Sequence, residues 1–384
     1  MNQNKTKTKL KLSLKILSLA LIITLTPFSG CLSADDSDPN ESLDDGEIVI
    51  VTYDVYALTD EMISTFENDS GLAVRMLKLD DAGSVLDYLI QNKGNSNVDL
   101  AIGLDNTYLP TAIEFDLLTE ISADKTMMQD SQSNSGMSPL DPYDGPLATP
   151  FDMGYICLNY DTSVVDGENL SLPTSLWDLT EPEWNGKVAF PSPVSSSPGR
   201  AFMLATLDYF DWSQNMTEFK DWWSAMAEND AIITSGWTEA YETHYSGGYG
   251  VWNEGHVGDA HMTVSYCHSP GVEAFYGENS TKSSALDLPK TSFFQVEYAA
   301  AVRGGNSDYA HQFIQYLISP EVNSKMPIEN LMYSVLADED LPTDNGYRHH
   351  SLIPGEPSSV SNDAIRENME TWLQEWNSAV TSGE

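Results

Sequence analysis

Positive charge is what this chain has least of. Its 384 residues carry 18 Lys and Arg against 58 Asp and Glu, a formal net charge of −40. Five of the 18 (Lys5, Lys7, Lys9, Lys11 and Lys15) stand near the start, which leaves 13 against 58 beyond residue 31 and a formal charge of −45 there. Such a surface repels nucleic acid and anionic membrane, and so few cations argue against phosphoryl chemistry. The acids are spread along the chain rather than clustered, as on a solvated surface adapted to high salt, where long-range steering is screened. Attraction for cationic ligands is the other reading of the same charge.

Cysteine is almost as scarce, with only Cys31, Cys157 and Cys267. No CxxC pair supplies a zinc or redox spacing. Cys157 and Cys267 are enough for one disulfide, but sequence does not decide whether their geometry permits it. A Ser nucleophile elbow, an HExxH pair and a Gly-rich nucleotide loop are all missing, so no enzyme and no cofactor is expected. An extracytoplasmic enzyme acting on heterocycles would need Cys157 or Cys267 as nucleophile. Long apolar runs are lacking too. Ile16 to Ile23 is short and is followed by Thr and Pro, which does not suit a membrane span.

What the first residues do hold is a basic stretch, that apolar run, and then Phe28-Ser29-Gly30-Cys31. This order reads as a secretory signal peptide over 1–30. Small residues directly before a Cys resemble a lipobox, with Cys31 as the acylated residue; an ordinary signal peptide with an incidental cysteine is the plainer alternative. Residues 31–46 are acidic and polar and read as a disordered tether. The functional part is therefore expected outside the cytoplasm, on the outer face of the cell membrane.

Beyond the tether, strands and helices alternate. Glu47–Tyr53, Gly71–Leu79 and Val98–Gly103 read as strands, with helices over Asp60–Asp69 and Ser84–Gln91, Ser84 being placed as the N-cap. The pattern predicts an α/β fold of parallel βαβ units whose ligand lies at the carboxyl ends of strands. Asp54, Asp80-Asp81 and Asp105-Asn106 stand just past those ends. Phe151–Tyr160 and Gln295–Val302 read as strands that cross between two lobes, 47–150 with 296–384 and 151–295. Helices are expected over Arg200–Phe210, Tyr309–Leu317, Pro320–Met326 and Ala364–Ala379.

Several groups could carry chemistry. Ser196-Ser197-Pro198-Gly199 stands at a helix start, where free N–H groups attract an anion; plain capping explains it equally. Trp237 follows Gly236 at the end of the strand Ala231–Ile233, and Tyr266 ends the next strand. Such rings stack on a flat or cationic ring, or else pack a core or hinge. His244, His256, His261 and His268 lie near Glu254, Asp259 and Cys267, which admits a metal site, although the many glycines there say loop.

In this order the segments resemble the thiamine-binding substrate-binding proteins of ABC importers. The carriers are Val51–Asp54, Val98–Asn106, Pro150–Tyr155, Ser197-Pro198-Gly199, Gly236–Tyr241, Ser265-Tyr266, Gln295-Val296-Glu297 and Asn330–Tyr333. The resemblance implies a two-lobed, type II periplasmic-binding-protein clamshell and a pocket between its lobes. By motif position it implies ligand contacts at Asp81 and Ala82, at Ser196 and Ser197 for a hydroxyethyl or phosphate end, at Trp237 for ring stacking, and along Tyr266, Cys267, His268, Ser269 and Pro270. It implies a monomeric receptor for thiamine or a thiamine phosphate, with an ABC permease and its ATPase as partners and the membrane reached through the lipid at Cys31. A receptor for another small solute or a metal ion of the iron type is the alternative. Three aromatic positions of the family are lost: Leu331 and Val272 stand where a Trp and a Tyr are usual, and a Trp near Asp60 is missing. Phe275, Tyr276 and Tyr245 are the candidates to replace them. The stretch from Glu242 to Thr263 is also longer than in the family.

Overall fold

The computed structural model describes residues 46–128, 146–248 and 256–382, apart from positions 55, 57, 96 and 338. The expected signal peptide, Cys31, the tether and Glu254 lie outside the described residues. Among those described, no helix is long and apolar enough to cross a membrane.

The first strand, β1 (Glu47–Tyr53), has five consecutive buried residues. A two-residue period sends Ile48 and Ile50 to one face and Val49 and Val51 to the other, and both faces are covered. On the first lie Met62 and Phe66 of α1 (Asp60–Ser70), on the second Val85, Leu86 and Leu89 of α2 (Ala82–Gln91). The Thr59 hydroxyl caps α1, and Gly71 ends it at φ 76°, a left-handed turn suited to glycine. Helix α2 starts earlier than its sequence suggests. Asp81 is its N-cap, not Ser84, because the Asp81 carboxylate reaches the first free backbone N–H at Ala82.

Strands β2 (Ala73–Leu79) and β3 (Leu100–Asp105) flank β1 in parallel, and α3 (Leu109–Glu114) follows them. Two longer strands then join the halves of the sheet. β4 (Thr149–Asp161) runs thirteen residues and β9 (Phe293–Ala301) nine, both buried nearly throughout. They pair antiparallel with each other, and a bulge between Pro150 and Asp152 sets Asp152 opposite Glu297. On its far side β9 pairs with β3, while the later part of β4 pairs with β7 (Met262–Tyr266). Beyond β7 come β5 (Val188–Pro191) and β6 (Ile232–Thr234), again in parallel. The continuous order is β2-β1-β3-β9-β4-β7-β5-β6, with the short β8 (Ser283–Ala285) and β10 (Tyr333–Ser334) added on β4.

The remaining helices are α4 (Ser197–Tyr209), α5 (Thr217–Glu228), α6 (Ser269–Tyr276), α7 (Ser307–Leu317), α8 (Pro320–Asn323), α9 (Met326–Glu329), α10 (Tyr347–His350) and α11 (Asn362–Ser382). Helix α5 was not anticipated in the sequence. Helix α11 departs from the expected lobe division, in which it follows residues 296–361. Its buried stripe Ile365, Met369, Trp372, Trp376 and Ala379, spaced by threes and fours, matches the aromatic surface of the 151–295 segment. Trp376 meets Trp223 of α5 at 5.7 Å and Trp372 meets Trp212 at 4.9 Å, both edge to face. Trp376→Ala is expected to destabilise the protein by about 3–5 kcal/mol, the cost of emptying a buried aromatic site. Urea unfolding checks this, and a loss below about 1 kcal/mol would contradict the packing of α11 on α5.

Candidate functional site

A cavity of about 300 Å³ opens where these strands end, at the small end of the range for ligand pockets. Six carboxylates line it: Asp54, Asp80, Asp81, Glu273, Glu297 and Glu329. Among the described residues no Lys, Arg or His joins them. Four rings, Tyr53, Trp237, Tyr241 and Tyr266, complete most of the wall.

Asp81 sits where two helices begin. Its Oδ1 accepts from the Ala82 N–H of α2 at 2.8 Å and from the Ser197 N–H of α4 at 3.3 Å. One carboxylate thus answers the positive ends of two helix dipoles. The neighbouring contact is tight: Gly83 N–H donates to the Ser195 carbonyl at 3.1 Å, and a Cβ at position 83 would lie 2.5 Å from that oxygen. Desolvation pushes the Asp81 carboxyl up to about 6, against the pull of the Ala82 and Ser197 backbone N–H groups.

The aromatic wall comes from an unusual turn. Glu239–His244 is wound as a π-helix, in which the Tyr245 N–H bonds back five residues to Ala240. Trp237 and Tyr241 stack with ring centres 4.9 Å apart and planes 15° from parallel. Trp237 Nε1 donates to Ser265 Oγ at 2.9 Å, and Ser265 in turn bonds Ser269. The Tyr241 hydroxyl donates to Glu273, which also accepts from Thr281 and, at 2.9 Å, from Ser283. Burial pushes the Glu273 carboxyl up to about 7, although those three hydroxyls favour its ionised form.

A buried acid pair lies on β4 and β9. Glu297 accepts from the Tyr53 hydroxyl at 2.8 Å and from Gln295 at 3.0 Å, with the Tyr266 hydroxyl at 3.5 Å. Asp152 accepts from Asn330 at 2.7 Å through Oδ2, while its Oδ1 has no hydrogen-bond partner. Burial holds both carboxyls well above the usual range, and the Asp152 charge raises Glu297 further.

Of the residues singled out from sequence, Asp81, Ala82, Ser197, Trp237, Tyr266 and Ser269 line the cavity. Ser196 does not; it is the buried N-cap of α4. Cys267 is fully buried and disulfide-bonded to Cys157, which also takes away the nucleophile the enzyme reading needed. His268 is buried as well. Its Nε2 donates to the Leu331 carbonyl at 2.7 Å, and desolvation lowers the imidazole to about 4 and keeps it neutral. Pro270 is buried in the first turn of α6. Asp105 is turned from the cavity to accept the Thr107 and Tyr108 N–H groups.

The histidine-rich stretch does not gather. His244 pairs with Asp259, His261 with Ser246, and His256 with the Tyr245 carbonyl. Among the described residues no group of three or more His, Cys, Asp or Glu could hold a metal ion. The proposed aromatic replacements fail too: Tyr245 is buried behind Tyr241, Phe275 packs on Tyr276 and Tyr347, and Tyr276 is exposed. Tyr53 and Tyr241 stand in the wall instead, and Val272 and Leu331 line it as small apolar surface. Sequence reasoning placed Tyr53, Tyr241 and Glu297 within resembling segments but gave them no role. Glu273 carried no signal beyond lying in an otherwise apolar helix.

Comparison with known proteins agrees with this architecture. The sequence profile of the bacterial extracellular solute-binding proteins matches residues 78–251. A solved periplasmic thiamin binding protein superposes with a TM-score of 0.72 at 24% identity, covering 87% of this chain and 96% of that one. Iron-bound HitA from Pseudomonas aeruginosa superposes at 0.64 with 14% identity, covering 87% and 99%. The fold is therefore that of the type II periplasmic binding proteins. Within that class, the thiamine-binding periplasmic protein of Escherichia coli K12 is 25% identical over 343 residues, 87% of this chain and 93% of its own length. The chain is thus similar to thiamine-binding periplasmic proteins over 87% of its length, as its motifs suggest.

Asp81 and Glu273 bind protons more tightly folded than unfolded, so their contribution to stability is complete below about pH 4 and lost as pH rises through about 6 and 7. The ligand-free protein is expected to melt at progressively lower temperature from pH 5 to pH 8, and Glu273→Gln to flatten that fall. A melting temperature that climbs across this window would refute the assignment.

Proposed function

We propose that the chain is an extracytoplasmic solute receptor that captures thiamine in this cavity and delivers it to an ABC permease. The observation that carries the reading is a wall whose charged side chains are all carboxylates, with a stacked Trp237–Tyr241 pair and no basic side chain among its described lining residues. A thiazolium cation joined to a flat pyrimidine suits both features. The similarity to thiamine-binding periplasmic proteins supports the same ligand and an extracytoplasmic site of action. Thiamine is favoured over its phosphates, because the α4 N-terminus that would meet a phosphate already faces the Asp81 carboxylate.

Capture works by closure. The lobe built on β1, β2 and β3 supplies Tyr53 and Asp81, and the lobe built on β5, β6 and β7 supplies Trp237 and Tyr266. A ligand touching both stabilises the closed state by its differential contact. Cys31 is the proposed lipid attachment that keeps the receptor at the membrane.

Calorimetric titration of the purified protein with thiamine in molar salt tests the reading. Saturable binding is expected, weakened about 2- to 30-fold in Trp237→Ala through loss of about 0.5–2 kcal/mol of stacking. No heat with thiamine would remove the ligand assignment and leave the fold untouched. For the anchor, Cys31→Ser is expected to move the protein from the membrane fraction to the soluble one; unchanged partition would refute lipid attachment there.

A further inference from the structure

The antiparallel register of β4 and β9 sets Asp152 directly opposite Glu297, and both side chains are buried. Glu297 reaches the cavity wall; Asp152 lies behind it with Oδ1 unpartnered. The groups that face the pair are Tyr53 from β1, Tyr56 just after it, Asp105 from β3, Asp81 at the N-cap of α2 and Tyr266 from β7. Asn330 and Gln295 add neutral amides. None of these is a cation, and His268, whose ring lies 5.4 Å from that of Tyr266, is neutral.

Two carboxylates this close, with no counter-charge, do not both ionise in an empty site. Ionising the second requires a positive charge, and the cavity beside Glu297 is where a ligand would bring one. A permanent cation seated there gains a full carboxylate as partner; a neutral molecule of the same shape gains only a protonated acid. We propose that Glu297 makes this site select for permanently cationic ligands, and that its carboxyl O–H breaks and gives its proton to solvent as the cation enters. The proposal rests on the reading of this cavity as the thiamine site. It goes beyond that reading in naming the residue that sets the charge requirement and in predicting that binding is coupled to proton release.

The test is calorimetric titration of the purified full chain with thiamine at pH 6, in molar salt, in two buffers of different ionisation heat. The expected result is release of about one proton per thiamine bound, with affinity rising as pH rises from 5 to 7. Glu297→Gln, which keeps an acceptor for Tyr53, is expected to bind with almost no proton release. A second pair of probes, 4-methyl-5-(2-hydroxyethyl)thiazole and its N-methyl thiazolium, separates charge from shape. The cation should bind at least about tenfold more tightly to the unaltered protein and less than about threefold more tightly to the variant. Equal heats in both buffers would overturn the proposal while leaving thiamine as ligand. Undiminished proton release from Glu297→Gln would move the titrating group to Asp81, Asp152 or Glu273 and overturn it too. Absence of any thiamine binding would remove the ligand reading and this inference together.

Discussion

The pairing of β4 with β9 is the constraint on which the rest of the molecule depends. Both strands are continuous through the middle of the sheet, so each half is hydrogen-bonded to a strand that also belongs to the other. The disulfide between Cys157 and Cys267 fastens β4 to the segment after β7, with Cα atoms 4.9 Å apart. A bulge at Pro150 then fixes which β4 residue faces Glu297. Shifting the register by one residue would turn Asp152 away and replace an acid pair by an apolar contact. The chemistry of the cavity floor is therefore written in backbone geometry before any side chain is considered.

Upon that frame the two halves contribute unlike walls. The β1–β3 half offers carboxylates on short loops and a helix start, because parallel strands place their carboxyl ends along one edge. The β5–β7 half offers rings, with Trp237 stacked on Tyr241 where the π-wound turn begins. Asp81 is the point where the halves already touch, accepting from the first N–H of α2 and from the start of α4. It is at once a cap, a bridge and part of the wall.

Much of this was legible in the sequence, and what was not has physical causes. The apolar run Ile48–Val51 and the Gly at 71 fix β1 and the end of α1 with little ambiguity, and the long apolar stretches around Met153 and Val296 betray strands buried on both faces. Trp237 was legible because Gly236 precedes it at a strand end. By contrast, the π-turn that recruits Tyr241 has no sequence signature, since it depends on Tyr245 being seated in the core. The α11 docking depends on a surface of α5 that could not be matched before α5 itself was located. The resemblance implied ligand contacts at Cys267 and His268, but both are buried, Cys267 in the disulfide and His268 against the Leu331 carbonyl.

The acidity of the chain has two separate meanings, and salt distinguishes them. Exposed acids such as Asp54 and Asp80 act through solvent, and at molar salt the screening length falls to about 3 Å, so their pull on a distant cation vanishes. Glu297 and Asp152 are buried, where an unpaired charge is costly. On the proposed reading, salt screens their attraction for a cation less than that of the exposed acids. On the same reading, the carboxyls that β4 and β9 set opposite each other would make recognition a property of the core rather than of the net charge.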